Sequence, residues 1–158
     1  MANTQAMTTS FMGQLMTATH NFGTAPIRAS GATDDFKAAL YLASATINAS
    51  TTVYSSTGEV TGTGYTAGGV AVTFGTPPTA TNSSTTAGVA FVTPSASITY
   101  TTVTLATAFD AVLIYNSTQT NKSVSVHTFG SQTITAGTFT LTMPANTTTT
   151  ALLRLATT

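Results

Sequence analysis

Short apolar runs and stretches of period-two alternation recur along this chain at fairly even spacing. Phe36-Lys37-Ala38-Ala39-Leu40-Tyr41-Leu42 predicts a first strand, followed by Val70–Phe74 and Val89–Val92. Ile98–Leu105 predicts a long threonine-rich strand, and Phe109–Tyr115 is apolar at nearly every position, as expected of a strand covered on both faces. Val124 and Val126 alternate with Ser123, Ser125 and His127, and Ala151–Leu155 closes the series. Thr133–Met143 predicts a hairpin turning at Ala136-Gly137, which places Ile134 beside Phe139 and the threonines on the other face. Gly75–Thr86 and Ala145–Thr150 have turn and coil chemistry. No repeat of fixed period appears, which disfavours solenoids and propellers. Short strands divided by Gly/Pro turns predict an all-β fold, an antiparallel β-sandwich of jelly-roll type.

The N-terminal segment differs. Phe11 and Leu15, and Met12 and Met16, stand at i,i+4, and Ser10 is placed to cap a short helix. Two readings stand: a helix covering one end of the core, or a Met-rich arm through which Phe11, Met12, Leu15 and Met16 grip a neighbouring subunit or a capsid surface. The domain division is therefore an arm or short helix over residues 1–24 and one sandwich over 25–158.

Composition sharpens this picture. Charged residues are 5% of the 158, against about 25% in ordinary globular domains. Threonine makes up roughly a quarter. Low charge with 42% hydrophobic residues argues for a packed core and against disorder. Zero net charge removes the electrostatic case for nucleic acid or an anionic membrane as partner. A neutral Thr/Ser/Asn/Gly surface suits a protein docked to its own copies or to a partner. Cysteine is absent, so no disulfide framework and no thiolate metal site is expected. The first residues lack the basic and apolar parts of a secretory signal, and no apolar run reaches the ~20 residues of a membrane helix.

Candidate chemistry is sparse. Asp34 and Asp35 are adjacent in a turn-like segment, where they point opposite ways as solvated turn residues rather than as an acid–base pair. His20 and His127 stand far apart, with no metal-ligand spacing around them. No Gly-x-Ser-x-Gly elbow is present. The expectation is a non-enzyme with no cofactor and no metal. Asn-x-Ser/Thr triplets arise by chance in so Thr-rich a chain. The Thr-x-Thr strings make only local patches, too small for an ice-binding array.

One stretch stands out: GEVTGTGYTAGG, with Gly58, Gly62, Gly64, Gly68 and Gly69 around Glu59 and Tyr65. It matches neither a Walker motif nor a dinucleotide fingerprint, since Gly62-Thr63-Gly64 lacks the third glycine and no helix pattern follows. It reads as a shaped connection. Glycines allow tight turns and close approach, Tyr65 anchors the loop, and Glu59 accepts hydrogen bonds from nearby amides or Thr hydroxyls.

Residues 36–69 and 109–144, with SFMGQL near the start and ALLRLA near the end, resemble a family of small virion proteins of tailed bacteriophages. The Glu-Val-x-Gly-x-Gly-Tyr-x-x-Gly-Gly loop at Glu59–Gly69 is the most diagnostic piece. The resemblance implies a head decoration (cement) protein on the virion surface, made in the host cytoplasm. Its implied partners are the major capsid protein and copies of itself, as a dimer or trimer. A tail, fibre or host-adhesion module is the alternative.

Overall fold

A computed structural model describes residues 2–16, 18–22, 34–81 and 88–156. Strands β1 (Ala6–Met7), β2 (Phe36–Leu42), β3 (Val70–Val72), β6 (Ile98–Asn116) and β7 (Lys122–Leu141) form one antiparallel sheet in the order β1-β7-β6-β2-β3. Strands β4 (Thr79–Ala80), β5 (Val89–Val92) and β8 (Leu153–Ala156) form a second, in the order β4-β5-β8. Helix α1 (Thr9–Met16) lies against β7. Two antiparallel sheets without barrel closure give the all-β sandwich class that the alternation predicts.

The central strands are apolar at consecutive positions because both faces of the large sheet are covered. Leu40, Val112, Ile114 and Val124 pack with Phe11, Phe22, Val92 and Leu153 on one side. Ala39, Leu113, Tyr115 and Val126 pack with Ala45, Ile47 and Tyr54 of the long β2–β3 connection on the other. That second cover explains why Phe109–Tyr115 shows no polar face.

Three local expectations change. The two strands foreseen at Ile98–Leu105 and Phe109–Tyr115 are one 19-residue strand. The hairpin foreseen at Ala136-Gly137 is absent; β7 bends there without reversing and stays paired with β6 from Asn116↔Lys122 to Ile98↔Leu141. Ala136, not Gly137, takes the positive φ of 47° and forms a bulge. Thr102, at φ 53°, bulges β6 almost opposite. Each bulge resets the pleat by one residue, so Tyr100 and Val103 both face the core although three residues apart. Long-range pairing prevails because a local hairpin would leave the edge of Ile98–Leu105 without hydrogen-bond partners. Within the stretch foreseen as loop at Gly75–Thr86, Thr79 and Ala80 pair with Phe91 and Ala90; its residues 82–86 lie outside the described ones.

At the N-terminus Thr8, not Ser10, precedes the helix. Its carbonyl accepts from Phe11 N at 3.1 Å, while its buried hydroxyl reaches Val124 O at 3.2 Å. Phe11 is 2% exposed and meets the rings of His20 and Phe22 edge-on, with centroids 4.9 and 5.9 Å away. Removing this ring leaves a cavity between helix and sheet. Phe11→Ala is expected to lower stability by about 3–5 kcal/mol in urea unfolding; a loss under ~1 kcal/mol would mean that the segment is not part of the cooperative core.

Candidate functional site

The glycine-rich stretch is an excursion from the edge of β2. Gly58 O accepts from Leu42 N at 2.9 Å, Val60 N donates to Leu40 O at 3.0 Å, and Glu59 lies opposite Tyr41. Pairing on the same edge resumes at Val70↔Ala38. Between them residues 61–69 leave the edge, and Thr63 reaches β6, where its carbonyl accepts from Thr104 N at 2.9 Å. Close backbone approach makes three glycines obligatory: a Cβ on Gly62 would stand 2.0 Å from Thr104 O. A Cβ on Gly64 (φ 78°) would stand 2.2 Å from Thr102 O, and one on Gly69 (φ 73°) 1.6 Å from Ala38 O.

Glu59 closes the excursion. Its side chain is 6% exposed. Oε1 accepts from the Tyr65 hydroxyl and from Gly68 N, each at 2.7 Å, and Oε2 accepts from the Tyr54 hydroxyl at 2.6 Å. The carboxylate thus ties the start of the excursion to its end. The remaining tyrosines complete a cage. Tyr100 donates to Ala38 O at 2.8 Å and Tyr115 to Gly68 O at 2.9 Å, while Tyr41 donates to Ser55 O at 2.5 Å. Tyr54 stacks on Tyr115 and Tyr65 on Tyr100, at 4.6 and 5.9 Å. All five tyrosines of the chain take part.

Burial and the nearby carboxylate keep these phenols protonated. Burial pushes Tyr41 up to about 12, with the Ser55 hydrogen bond opposing and the Glu59 charge adding. Tyr54 and Tyr65 are raised well above the ordinary phenol value, by burial first and then by donating to Glu59. Tyr100 and Tyr115 are raised by burial first and the Glu59 charge second.

The cage decides what the loop can do. Gly68 N–H donates to Glu59 and Gly69 N–H to Thr66 O at 2.9 Å, so these amides face inward onto protein acceptors. An incoming phosphate would meet a carboxylate already occupying the anion position. Tyr65 anchors the loop through its hydroxyl, which accepts from Leu40 N and donates to Glu59. Gly58, Gly64, Gly68 and Gly69 all take positive φ. The donors to Glu59 are two tyrosines and one amide; the threonine hydroxyls expected there are not among them. Tyr54 and Tyr65 flank Glu59 in sequence, five residues before and six after. That proximity was a readable signal, whereas Tyr41, Tyr100 and Tyr115 arrive through tertiary pairing.

Other sequence candidates fall elsewhere. Asp34 is not a solvated turn residue: it is 7% exposed and accepts from Asn21 N and Asn116 Nδ2 at 2.8 Å and from Gln119 Nε2 at 2.9 Å. Asn116 Nδ2 also meets His20 Nδ1 at 3.1 Å, and His20 Nε2 meets Gln14 Oε1 at 2.7 Å. This buried polar network pins Gln14, His20 and Asn21 to the β6–β7 turn. Asp35 points away and is exposed. Met12 is 46% exposed and Leu15 half-buried, while Phe11 is inside the core and presents no surface to a partner. The Met16 side chain lies outside the described residues. Among the described residues no three His, Asp or Glu side chains converge as a metal site would need. A cleft of about 590 Å³ opens beside the Asp34 network, lined by Lys37, Thr73, Phe74 and Ser117 among others.

His127 is half-buried on β7, with Ser125 Oγ 2.8 Å from its Nε2. Burial lowers its pKa to about 4. The folded chain therefore resists protonation that the unfolded chain accepts near 6.5. Stability is full above about pH 6.5, falls as pH drops, and levels off below about 4. Thermal midpoints between pH 7 and pH 4 should show this decline, and His127→Gln should flatten it; an equal slope in the variant assigns the decline to the carboxylates.

No known protein family, characterised protein or solved structure matches this chain.

Proposed function

We propose that this chain is a non-enzymatic structural protein of a tailed-phage particle, a decoration or cement protein on the outer surface of the head. The observation that carries the reading is the resemblance of the Glu59–Gly69 loop and its flanking strands to small phage virion proteins. Its physical character is compatible. The glycine loop is a braced scaffold with its buried carboxylate bound inside. The surface is nearly free of charge, which suits contacts made by area and shape rather than by electrostatic steering. A cement protein acts in many copies on a symmetric shell, where each contact is weak and effective concentration is high.

The tail, fibre or host-adhesion reading draws on one observation, the cleft near Lys37, Thr73 and Ser117 with Phe74 at its wall, a mixed polar and aromatic lining that suits a glycan. Quantitative mass spectrometry of the purified particle separates the two. Copy numbers comparable with the major capsid protein support cement. A small number per particle moves the chain to the tail, and absence from the particle removes both readings.

A further inference from the structure

Strand β7 has two different edges. One pairs with β6 along its whole length. The other is covered only at its start, by Ala6↔Val126 and Met7↔Ser125 and by Thr52, whose carbonyl accepts from Ser123 N at 3.1 Å. From His127 to Leu141 no described residue pairs with this outer edge. Natural edges are guarded by lysine, proline or a covering element. Here no Lys, Arg, Asp or Glu occurs between Lys122 and Arg154, and the first proline is Pro144. The bulge at Ala136 interrupts the edge, but beyond it Phe139, Thr140 and Leu141 pair regularly with Tyr100, Thr99 and Ile98, leaving a regular stretch whose outer side no described residue pairs.

The same edge carries a half-covered apolar strip. Phe129, Ile134, Phe139, Leu141 and Met143 pack against the main core yet are only partly buried. Phe129 and Phe139 sit 5.1 Å apart, although ten residues separate them across the irregular pairing at 129–131 and 136. The ribbon bends at these irregularities and so gathers the side chains on one side, beside an edge that no described residue pairs.

We propose that two copies of this chain pair antiparallel along the outer edge of β7 around Thr140, about a two-fold axis perpendicular to the sheet. An occupant of this edge needs an unpaired strand, an apolar strip on the matching side and no charge. The chain's own β7 has all three. A perpendicular two-fold keeps like faces together, so Phe139, Leu141 and Met143 of each copy merge into one strip while the exposed threonines stay outward. Absence of charge means that no like charges meet across the axis, and zero net charge leaves no long-range repulsion. The proposed virion role gains a building unit from this pairing, but the pairing is a property of the isolated chain and is tested without any capsid.

Sedimentation equilibrium of the purified full chain, over a wide concentration range, is the test. Wild type should fit a monomer–dimer equilibrium. Thr138→Lys with Thr140→Lys, both at exposed positions, should weaken it at least about tenfold, as should the same pair changed to Glu. Mixing the Lys and Glu variants should restore dimer, and far-UV circular dichroism should show all forms equally folded. If the variants unfold, hydrogen exchange on wild type decides: amides of residues 137–142 should gain protection as concentration rises. A wild-type monomer at every concentration, a trimer, a dimer indifferent to the substitutions, or concentration-independent exchange overturns the proposal.

Discussion

Glu59→Ala is expected to destabilise the protein by about 3–5 kcal/mol, the range for removing one partner of a buried charged hydrogen-bond network. The loss is large because three donors converge on one carboxylate: the Tyr54 and Tyr65 hydroxyls and Gly68 N–H. Truncation leaves all three facing a void. The Tyr65 hydroxyl also accepts from Leu40 N at 3.0 Å, so its disturbance reaches the edge of β2. For a chain of this size the thermal midpoint should fall by roughly 10 °C. Glu59→Gln should cost less, because its carbonyl still accepts from Tyr65 and Gly68 and its amide can donate to the Tyr54 oxygen. Urea unfolding followed by tyrosine fluorescence reads both variants. An alanine variant within about 0.5 kcal/mol of wild type would show that the cage is incidental to stability.

Gly69→Ala should be at least as damaging, by a different route. The new Cβ would stand 1.6 Å from Ala38 O, on a backbone at φ 73°. Ala38 is fully buried and pairs with both Val70 and Ile114, so it has nowhere to move. The left-handed conformation alone costs about 1–2 kcal/mol for a residue with a Cβ. With the clash, a loss above about 4 kcal/mol or failure to fold is expected. Gly68→Ala is the matched control: it has φ 89°, but the nearest atom to its Cβ is the Tyr115 hydroxyl oxygen at 3.1 Å. It should cost about 1–2 kcal/mol. Equal losses in the two would mean that conformation, and not contact with β2, is what Gly69 provides.

Much of the fold was legible because strand burial leaves a local trace. The apolar runs at Phe36–Leu42 and Val89–Val92 mark strands that form at those bounds. The apolar run at Phe109–Tyr115, broken only by Asp110, announces the cover found on both faces. The Ala136-Gly137 hairpin failed for an instructive reason. A turn and a bulge both put Ile134 and Phe139 on one side, so the local pattern cannot tell them apart; only the distant strand at Ile98–Leu105 decides. Asp34 failed similarly. Its Asp35 neighbour is solvated, and nothing local distinguishes it from the one that Asn116 and Gln119 bury from across the fold.

The sequence by itself determined the all-β class, the apolar core strands and the need for glycine where backbone meets backbone. These follow from the period of the pleat and from steric demands that each residue carries with it. Tertiary structure alone decided the strand order, the long β6–β7 pairing and the five-tyrosine cage around Glu59. Those depend on which distant segments meet, and hydrogen bonding and burial settle that only when the whole chain has closed.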